Sequence, residues 1–216
     1  MTTDQSAVRA ILTSGIEKLG LTVSDRQVEL LLDYLALLQK WNQAYNLTGI
    51  KTPQAMVRLN LLDSLSIVPL IDGNTVLDVG TGAGLPGIVL AICLPEKQFI
   101  VLDSNGKKTR FLFQVVTALK LKNVRIENQR AENFQSDQQI DIVVTRAFSS
   151  LRQSLLWCGH LLDGHNRLLA MKGVMPEQEV TDLPAGFSLH KVKTVHIPGE
   201  DCSRHVLEII RTGQKQ

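Results

Sequence analysis

Cysteine is scarce in this sequence, and its spacing argues against the commonest cysteine-based sites. The chain has three cysteines among 216 residues, Cys93, Cys158 and Cys202, and none of them forms a Cys-x-x-Cys pair. This spacing disfavours a zinc ribbon and thioredoxin-like chemistry. We therefore expect reduced thiols, a cytoplasmic location and no bound metal.

Long hydrophobic runs and an excess of one charge are also missing. The longest apolar run, residues 87–94, is far shorter than the roughly 18–20 residues of a membrane helix, and the first ten residues do not resemble a signal peptide. Lys and Arg number 23 against 21 Asp and Glu, so bulk charge cannot hold the protein on nucleic acid, whereas a local basic patch can. We expect no membrane partner, and nothing in the sequence requires more than a monomer.

The residue pattern changes character once, near residue 73. Before this point apolar residues recur at helical spacing in residues 6–19 and 24–41, and Pro53 suits the first turn of a third helix that we expect to reach residue 68. After this point helical patterns at 85–94, 107–121 and 150–162 separate short apolar runs. These runs predict buried parallel strands at residues 75–79, 99–103, 124–128, 141–145 and 167–171.

The C-terminal pattern departs from this alternation. Residues 187–197 and 204–211 both have strand-like patterns, and the short turn between them leaves no room for a helix. The two strands should therefore form an antiparallel hairpin at the sheet edge. The sequence thus predicts an α/β protein in which an N-terminal helical extension, residues 1–72, packs on a Rossmann-like domain, residues 73–216, with a mostly parallel seven-stranded sheet.

The strongest local motif is a glycine-rich loop between the first predicted strand and the next helix, Asp78-Val79-Gly80-Thr81-Gly82-Ala83-Gly84-Leu85-Pro86-Gly87. Taken from Gly82, it matches a dinucleotide fingerprint. Taken from Asp78, it has the form Asp-x-Gly-x-Gly-x-Gly and resembles motif I of the class I S-adenosylmethionine methyltransferases. Asp103 ends the second predicted strand 21 residues after Gly82, and its carboxylate suits ribose hydroxyls in either case. The C-terminal hairpin favours the methyltransferase.

Several further strings occur in one order along residues 25–210. They are Trp41-Asn42-x-x-Tyr45-Asn46-Leu47-Thr48, Leu62-Asp63-Ser64-Leu65, Leu102-Asp103-Ser104-x-Gly106-Lys107, Thr145-Arg146-Ala147-Phe148-x-Ser150-Leu151, Met171-Lys172-Gly173 and Arg204-His205. With the glycine loop, they resemble the RsmG family of small-subunit ribosomal RNA guanine-N7 methyltransferases, also called glucose-inhibited division protein B. The resemblance implies transfer of a methyl group from S-adenosylmethionine to guanine 527 of 16S rRNA, with the rRNA or the small ribosomal subunit as partner.

The same resemblance, with the glycine loop, assigns cofactor contacts by motif position. They fall on Asp78, Gly80, Gly82, Gly84, Leu85, Asp103, Ala131, Glu132 and Arg146. One position departs from the family, because Asn60 stands where a histidine is common, three residues before Asp63. An amide can form hydrogen bonds there but cannot carry charge near neutral pH.

The chemistry of guanine N7 shapes the choice of catalytic residues. N7 carries an in-plane lone pair and is unprotonated at neutral pH, so it can attack a sulfonium methyl in line without a general base. We expect positioning to dominate catalysis, with Arg146 and Arg130 at the reaction centre. The alternative role for Arg146 is a salt bridge to Glu132 or Asp141.

A bound RNA also requires cations near the carboxyl ends of the strands. The candidates are Lys107, Lys108, Arg130, Lys172 and Arg204. For the three lysines, a solvated surface position is the alternative. Two other functions stay open at this point: a methyltransferase of the same fold that acts on another RNA or a small molecule, and a dinucleotide-dependent oxidoreductase.

Overall fold

One mixed sheet forms the centre of the molecule. A computed structural model describes residues 3–201 and 203–212. The strands in this part of the chain are β1 (Thr75–Val79), β2 (Gln98–Leu102), β3 (Val124–Glu127), β4 (Ile142–Arg146), β5 (Arg167–Lys172), β6 (Phe187–His196) and β7 (Ser203–Arg211). Their order is β3-β2-β1-β4-β5-β7-β6; β1 to β5 are parallel, and β7 runs antiparallel to both neighbours. The predicted seven-stranded sheet with its C-terminal hairpin is confirmed.

Helices cover both faces of this sheet. They are α1 (Thr3–Lys18), α2 (Asp25–Tyr45), α3 (Pro53–Met56), α4 (Asp63–Leu65), α5 (Gly87–Cys93), α6 (Gly106–Leu119), α7 (Leu151–Cys158) and α8 (Glu177–Thr181). Val76 and Val101 point to a core shared with α1, α2, α5 and α6, whereas Leu77 and Ile100 point to a second core under α7. This alternation along each strand explains why the strands are apolar on both faces.

The third predicted helix differs most from its expectation. The turns α3 and α4 flank a π-helical stretch, Val57–Leu62, and the helix ends at Leu65 instead of residue 68. Pro69 lies shortly after this end, and it has no N–H with which to continue the helical hydrogen bonds. A separate 3-10 turn, Val68–Leu70, contains this proline.

Other element ends moved by a few residues. The helix predicted to end at residue 121 stops at Leu119, because Lys120 adopts a left-handed conformation with φ +55°. The helix predicted to end at residue 162 stops at Cys158 and is followed by a 3-10 turn, Gly159–Leu161. In residues 3–201 and 203–212, no helix has the length and hydropathy needed to span a membrane.

Candidate active site

A cavity of about 320 Å³ lies at the carboxyl edge of the sheet, beside the ends of β1, β2 and β4. This is the edge at which open α/β sheets bind ligands, and the volume lies at the lower end of the usual range for small-molecule sites. Of the predicted cofactor contacts, four line this cavity: Gly80, Asp103, Ala131 and Glu132.

The first wall is the glycine loop, which folds back over the end of β2. The backbone N–H groups of Gly80 and Thr81 both donate to the Leu102 carbonyl, at 2.9 and 3.1 Å. Gly80 has φ +71°, and a Cβ atom there would lie 2.1 Å from Cδ2 of Phe148. Both constraints require glycine, because only a residue without a side chain fits this conformation beneath the aromatic ring.

Asp78 holds this loop from inside and does not line the cavity. Its Oδ2 accepts hydrogen bonds from Thr81 Oγ1 at 2.6 Å and from Gly87 N at 2.7 Å. Burial raises the pKa of the Asp78 carboxyl to about 6, although both hydrogen bonds act to lower the pKa. Direct contact with a cofactor was predicted for Asp78, and the structure instead places its carboxylate between the two ends of the loop.

Three more predicted contacts lie beside the cavity without lining it. Gly82 adopts φ +61° and turns its N–H toward Asp103, and Gly84 adopts φ +93° against Ile88. Leu85 is buried in the apolar core. These residues shape the loop through its backbone.

Asp103 provides the buried acidic group of the cavity. Its Oδ2 accepts from Gly82 N at 2.9 Å and lies 3.4 Å from Lys108 Nζ, while Oδ1 accepts from Asn105 N at 2.8 Å. A carboxylate has further lone pairs, so these oxygens can also accept hydrogen bonds from the two hydroxyls of a ribose. The residues therefore fit the nucleoside part of S-adenosylmethionine.

Apolar and aromatic groups complete the cavity. Ala131 is buried at its wall, and Arg130 and Glu132 are exposed on either side. Phe148 and Trp157 also line the cavity and pack edge to face, with ring centroids 5.4 Å apart. Such a wall suits a flat purine. The position of Phe148 two residues after Arg146 was the signal for this wall in the sequence.

Arg146 ends β4 next to this cavity and is held by the third helical segment. Its Nη1 donates to Asp63 Oδ2 at 2.6 Å and to the Leu59 carbonyl at 2.9 Å, and its Nη2 donates to Asn60 Oδ1 at 3.2 Å. Asp63 is the acidic partner, so the expected alternative of a salt bridge to Glu132 or Asp141 is wrong. The reason is spatial: the third helical segment lies over the end of β4.

The predicted RNA-binding cations do not form one group. Lys108 and Arg130 line the cavity, and Lys107 is exposed in the first turn of α6. Lys172 bonds to Glu179 and to the Ser149 carbonyl, both at 2.9 Å, and so holds the loop that carries Phe148. The alternative of a solvated Lys172 is therefore wrong.

Arg204 lies with Arg146, because its Nε is 3.6 Å from Asp63 Oδ1. Burial raises the pKa of the Asp63 carboxyl, and the two arginines act in the opposite direction. Among residues 3–201 and 203–212, no cluster of three or more His, Cys, Asp or Glu side chains can hold a metal.

Tyr34 is a contributor that sequence reasoning missed. It lies fully buried on α2, and its hydroxyl donates to the Ala83 carbonyl in the glycine loop at 2.8 Å. Desolvation raises the pKa of this phenol, so the hydroxyl stays protonated and remains a donor. A tyrosine on the apolar face of a predicted helix was the only signal.

Comparison with known proteins agrees with this geometry. Residues 27–207 match the family model of GidB, rRNA small subunit methyltransferase G. A ribosomal RNA small subunit methyltransferase G from Pseudomonas syringae pv. tomato is 49% identical over 201 residues, covering 93% of this chain and 95% of that protein. The corresponding protein of Saccharophagus degradans is 49% identical over 189 residues, covering 88% of this chain and 85% of its own.

Solved structures share the fold. A SAM-dependent methyltransferase from Aquifex aeolicus superposes with a TM-score of 0.57 at 21% identity, covering 76% of this chain and 97% of that one. TrmN from Thermus thermophilus gives a TM-score of 0.56 at 18% identity, covering 81% of this chain and 53% of that one. The class I methyltransferase fold is thereby confirmed.

The family match also decides between the two cofactors left open by the glycine loop. The cofactor is S-adenosylmethionine, as predicted, and the dinucleotide hypothesis is not favoured. The substrate class is ribosomal RNA of the small subunit. The glycine loop, Asp103 and the matched length together lead to one conclusion: the chain belongs to the family of ribosomal RNA small subunit methyltransferase G.

Proposed function

We propose that this protein methylates N7 of guanine 527 of 16S rRNA, in the usual rRNA numbering, and that it acts in the cytoplasm. The observation that supports N7 is the state of the carboxylates beside Arg146. Asp63 is paired with Arg146 itself, and Asp78 is buried and takes hydrogen bonds from Thr81 and Gly87. Neither is placed to remove a proton from a substrate, and attack by N7 requires no such removal.

The chain then contributes mainly binding and orientation. S-adenosylmethionine supplies a sulfonium methyl group when it is bound. Asp103 would hold the ribose hydroxyls, and Phe148 and Trp157 would pack against the purine of the cofactor. Arg146 and Arg130 would orient the target nucleotide, since a guanidinium can donate to the O6 edge of guanine or to a phosphate.

The remaining cations would hold the RNA backbone. Lys107 and Lys108 open α6 beside the cavity, where an anionic partner offsets the unfavourable position of cations at a helix N-terminus. Arg204 would add a contact from the C-terminal hairpin. Lys172 would act through the Phe148 loop that it holds.

The test is transfer of tritium from labelled S-adenosylmethionine to 16S rRNA and to small subunits that lack the modification. Nuclease digestion and mass spectrometry would then locate the label. We expect 7-methylguanosine at one position, and no label in subunits that already carry the modification. Label in another nucleoside, or at a different guanine, would contradict the proposal.

A further inference from the structure

Asp63 occupies an unusual place in the molecule, because it is a buried acid between two arginines from different parts of the sheet. Its Oδ2 lies 2.6 Å from Arg146 Nη1, at the end of the parallel strand β4. Its Oδ1 lies 3.6 Å from Arg204 Nε, in the antiparallel strand β7. Without the carboxylate, the two guanidinium groups would face each other as like charges with little water between them.

The segment that carries Asp63 is built to hold a guanidinium. The π-helical stretch Val57–Leu62 ends immediately before Asp63, and such wide turns often occur at functional sites. The Leu59 carbonyl and the Asn60 side-chain oxygen, both from this stretch, accept the other two hydrogen bonds of Arg146. The Nε–H of Arg146 takes part in none of these three bonds.

We propose that Asp63 is a positioning residue of the methyl-transfer site, which fixes the guanidinium of Arg146 and brings Arg204 to the same point so that both cations face one RNA group. This inference rests on the proposed function for the RNA. It also gives Asn60 a role that needs no charge, because the side chain acts toward Arg146 as a hydrogen-bond acceptor.

Burial supports positioning over direct contact with the substrate. Asp63 is 6% exposed and Asn60 is fully buried, whereas the Arg146 side chain is 18% exposed. The two acceptors therefore lie behind the arginine. The amide nitrogen of Asn60 and Oδ1 of Asp63 are buried without a hydrogen bond. Among the described residues before β1, these are the only two buried side-chain polar atoms without one.

The first experiment compares Asp63→Asn with the wild-type protein. We expect kcat for methyl transfer to small subunits to fall at least tenfold, with the affinity for S-adenosylhomocysteine unchanged within twofold. Asp72→Asn is the matched control, because Asp72 also pairs with an arginine, Arg167, but is exposed and precedes β1. This control should keep wild-type kcat. Wild-type kcat in Asp63→Asn would overturn the inference.

A second experiment asks whether Asp63 acts through Arg146. In an Arg146→Ala background, Asp63→Asn should cause a much smaller loss of kcat than in the wild-type protein, because Arg146 is already absent and only Arg204 remains as its target. Independent, multiplicative losses would contradict the inference, and so would a parallel loss of S-adenosylhomocysteine affinity. If Asp63→Asn lacks a cooperative thermal transition, Asn60→Leu takes its place, since it removes another acceptor of Arg146 with a side chain of the same branched shape.

A third measurement does not depend on RNA. The side-chain ¹⁵N signals of Arg146 should show hindered rotation in the wild-type protein and faster rotation in Asp63→Asn, in which only the bonds to Leu59 and Asn60 remain. Equal rotation in both proteins would overturn the positioning role even if the protein proved inactive on 16S rRNA. Conversely, a wild-type protein that methylates no rRNA but shows the expected NMR difference would contradict only the proposed function.

Discussion

Asp103 should dominate cofactor affinity at the level of single residues. Its carboxylate is the one acidic side chain at the cavity that accepts from both the glycine loop and α6. Asp103→Asn keeps the shape of the side chain but replaces one carboxylate oxygen with an NH2 group. This group would face the N–H donors that now bind the carboxylate. A charged hydrogen bond contributes about 1.5–3 kcal/mol, so we expect roughly 10–100-fold weaker binding of S-adenosylhomocysteine by calorimetry.

Asp137→Asn is the control for this change. Asp137 also pairs with a cation, Arg125, but its side chain is 72% exposed and distant from the glycine loop in sequence. The control should bind S-adenosylhomocysteine like the wild-type protein. If Asp103→Asn did so as well, Asp103 would not be the ribose ligand.

Gly80 should be intolerant of any side chain, for two separable reasons. Its φ of +71° is strained for an L-residue, at about 1–2 kcal/mol, and a Cβ atom would collide with Phe148. Gly20 has nearly the same φ, +68°, with no atom within 4 Å of its Cβ position. In urea unfolding, Gly20→Ala should lower the free energy of unfolding by the backbone strain alone. Gly80→Ala should lower it by a clearly larger amount. Equal losses would mean that the Phe148 contact is unimportant.

Asp78 should make stability depend on pH. Burial raises its pKa to about 6 from 3.8, so the folded protein holds this proton at pH values where the unfolded chain has released it. The free energy of unfolding therefore falls as pH rises from about 4 to 6, by roughly 3 kcal/mol from this group. Asp78→Asn should be more stable than the wild-type protein at pH 7 and lose that advantage near pH 4. A difference that is constant with pH would contradict this.

At the scale of elements, α2 supports the glycine loop through one buried hydrogen bond. Tyr34→Phe removes the donor to the Ala83 carbonyl, and leaving a buried acceptor without this partner costs about 1–3 kcal/mol. We expect that loss in urea unfolding, together with weaker binding of S-adenosylhomocysteine. Tyr45→Phe, at the 47% exposed end of α2, should change neither quantity. Equal stability of the two variants would show that the bond is not significant.

The elements also show what a sequence can predict. The succession of strands and helices along the chain and the place of Asp103 follow from local patterns. Apolar alternation, glycine spacing and strand ends are all properties of neighbouring residues. The pairing of Arg146 with Asp63 joins residues 83 apart, and the contact between Lys172 and the Phe148 loop depends on where β5 lies beside β4. The π-helical stretch cannot be predicted from the spacing of apolar residues. Contacts of this kind follow from packing, which no short pattern contains.

At the scale of the whole molecule, residues 3–72 and the sheet share one apolar core. Leu12 of α1 and Leu31 of α2 belong to the same buried cluster as Val89 of α5 and Phe111 of α6. The N-terminal helices α1 and α2 thus cover apolar side chains of α5 and α6, which would otherwise be exposed to solvent. We infer that the molecule unfolds as one cooperative unit, although the sequence divides into two regions near residue 73.

Removal of the N-terminal region tests this inference. A fragment of residues 73–216 would expose the α5 and α6 side of the core, and burial of apolar surface is the main favourable contribution to folding. We expect the fragment to show no cooperative thermal transition and no binding of S-adenosylhomocysteine, and co-expression with residues 1–72 to restore both. A fragment that unfolded cooperatively on its own would show instead that the sheet is stable without its N-terminal cover, and would contradict the inference of one cooperative unit.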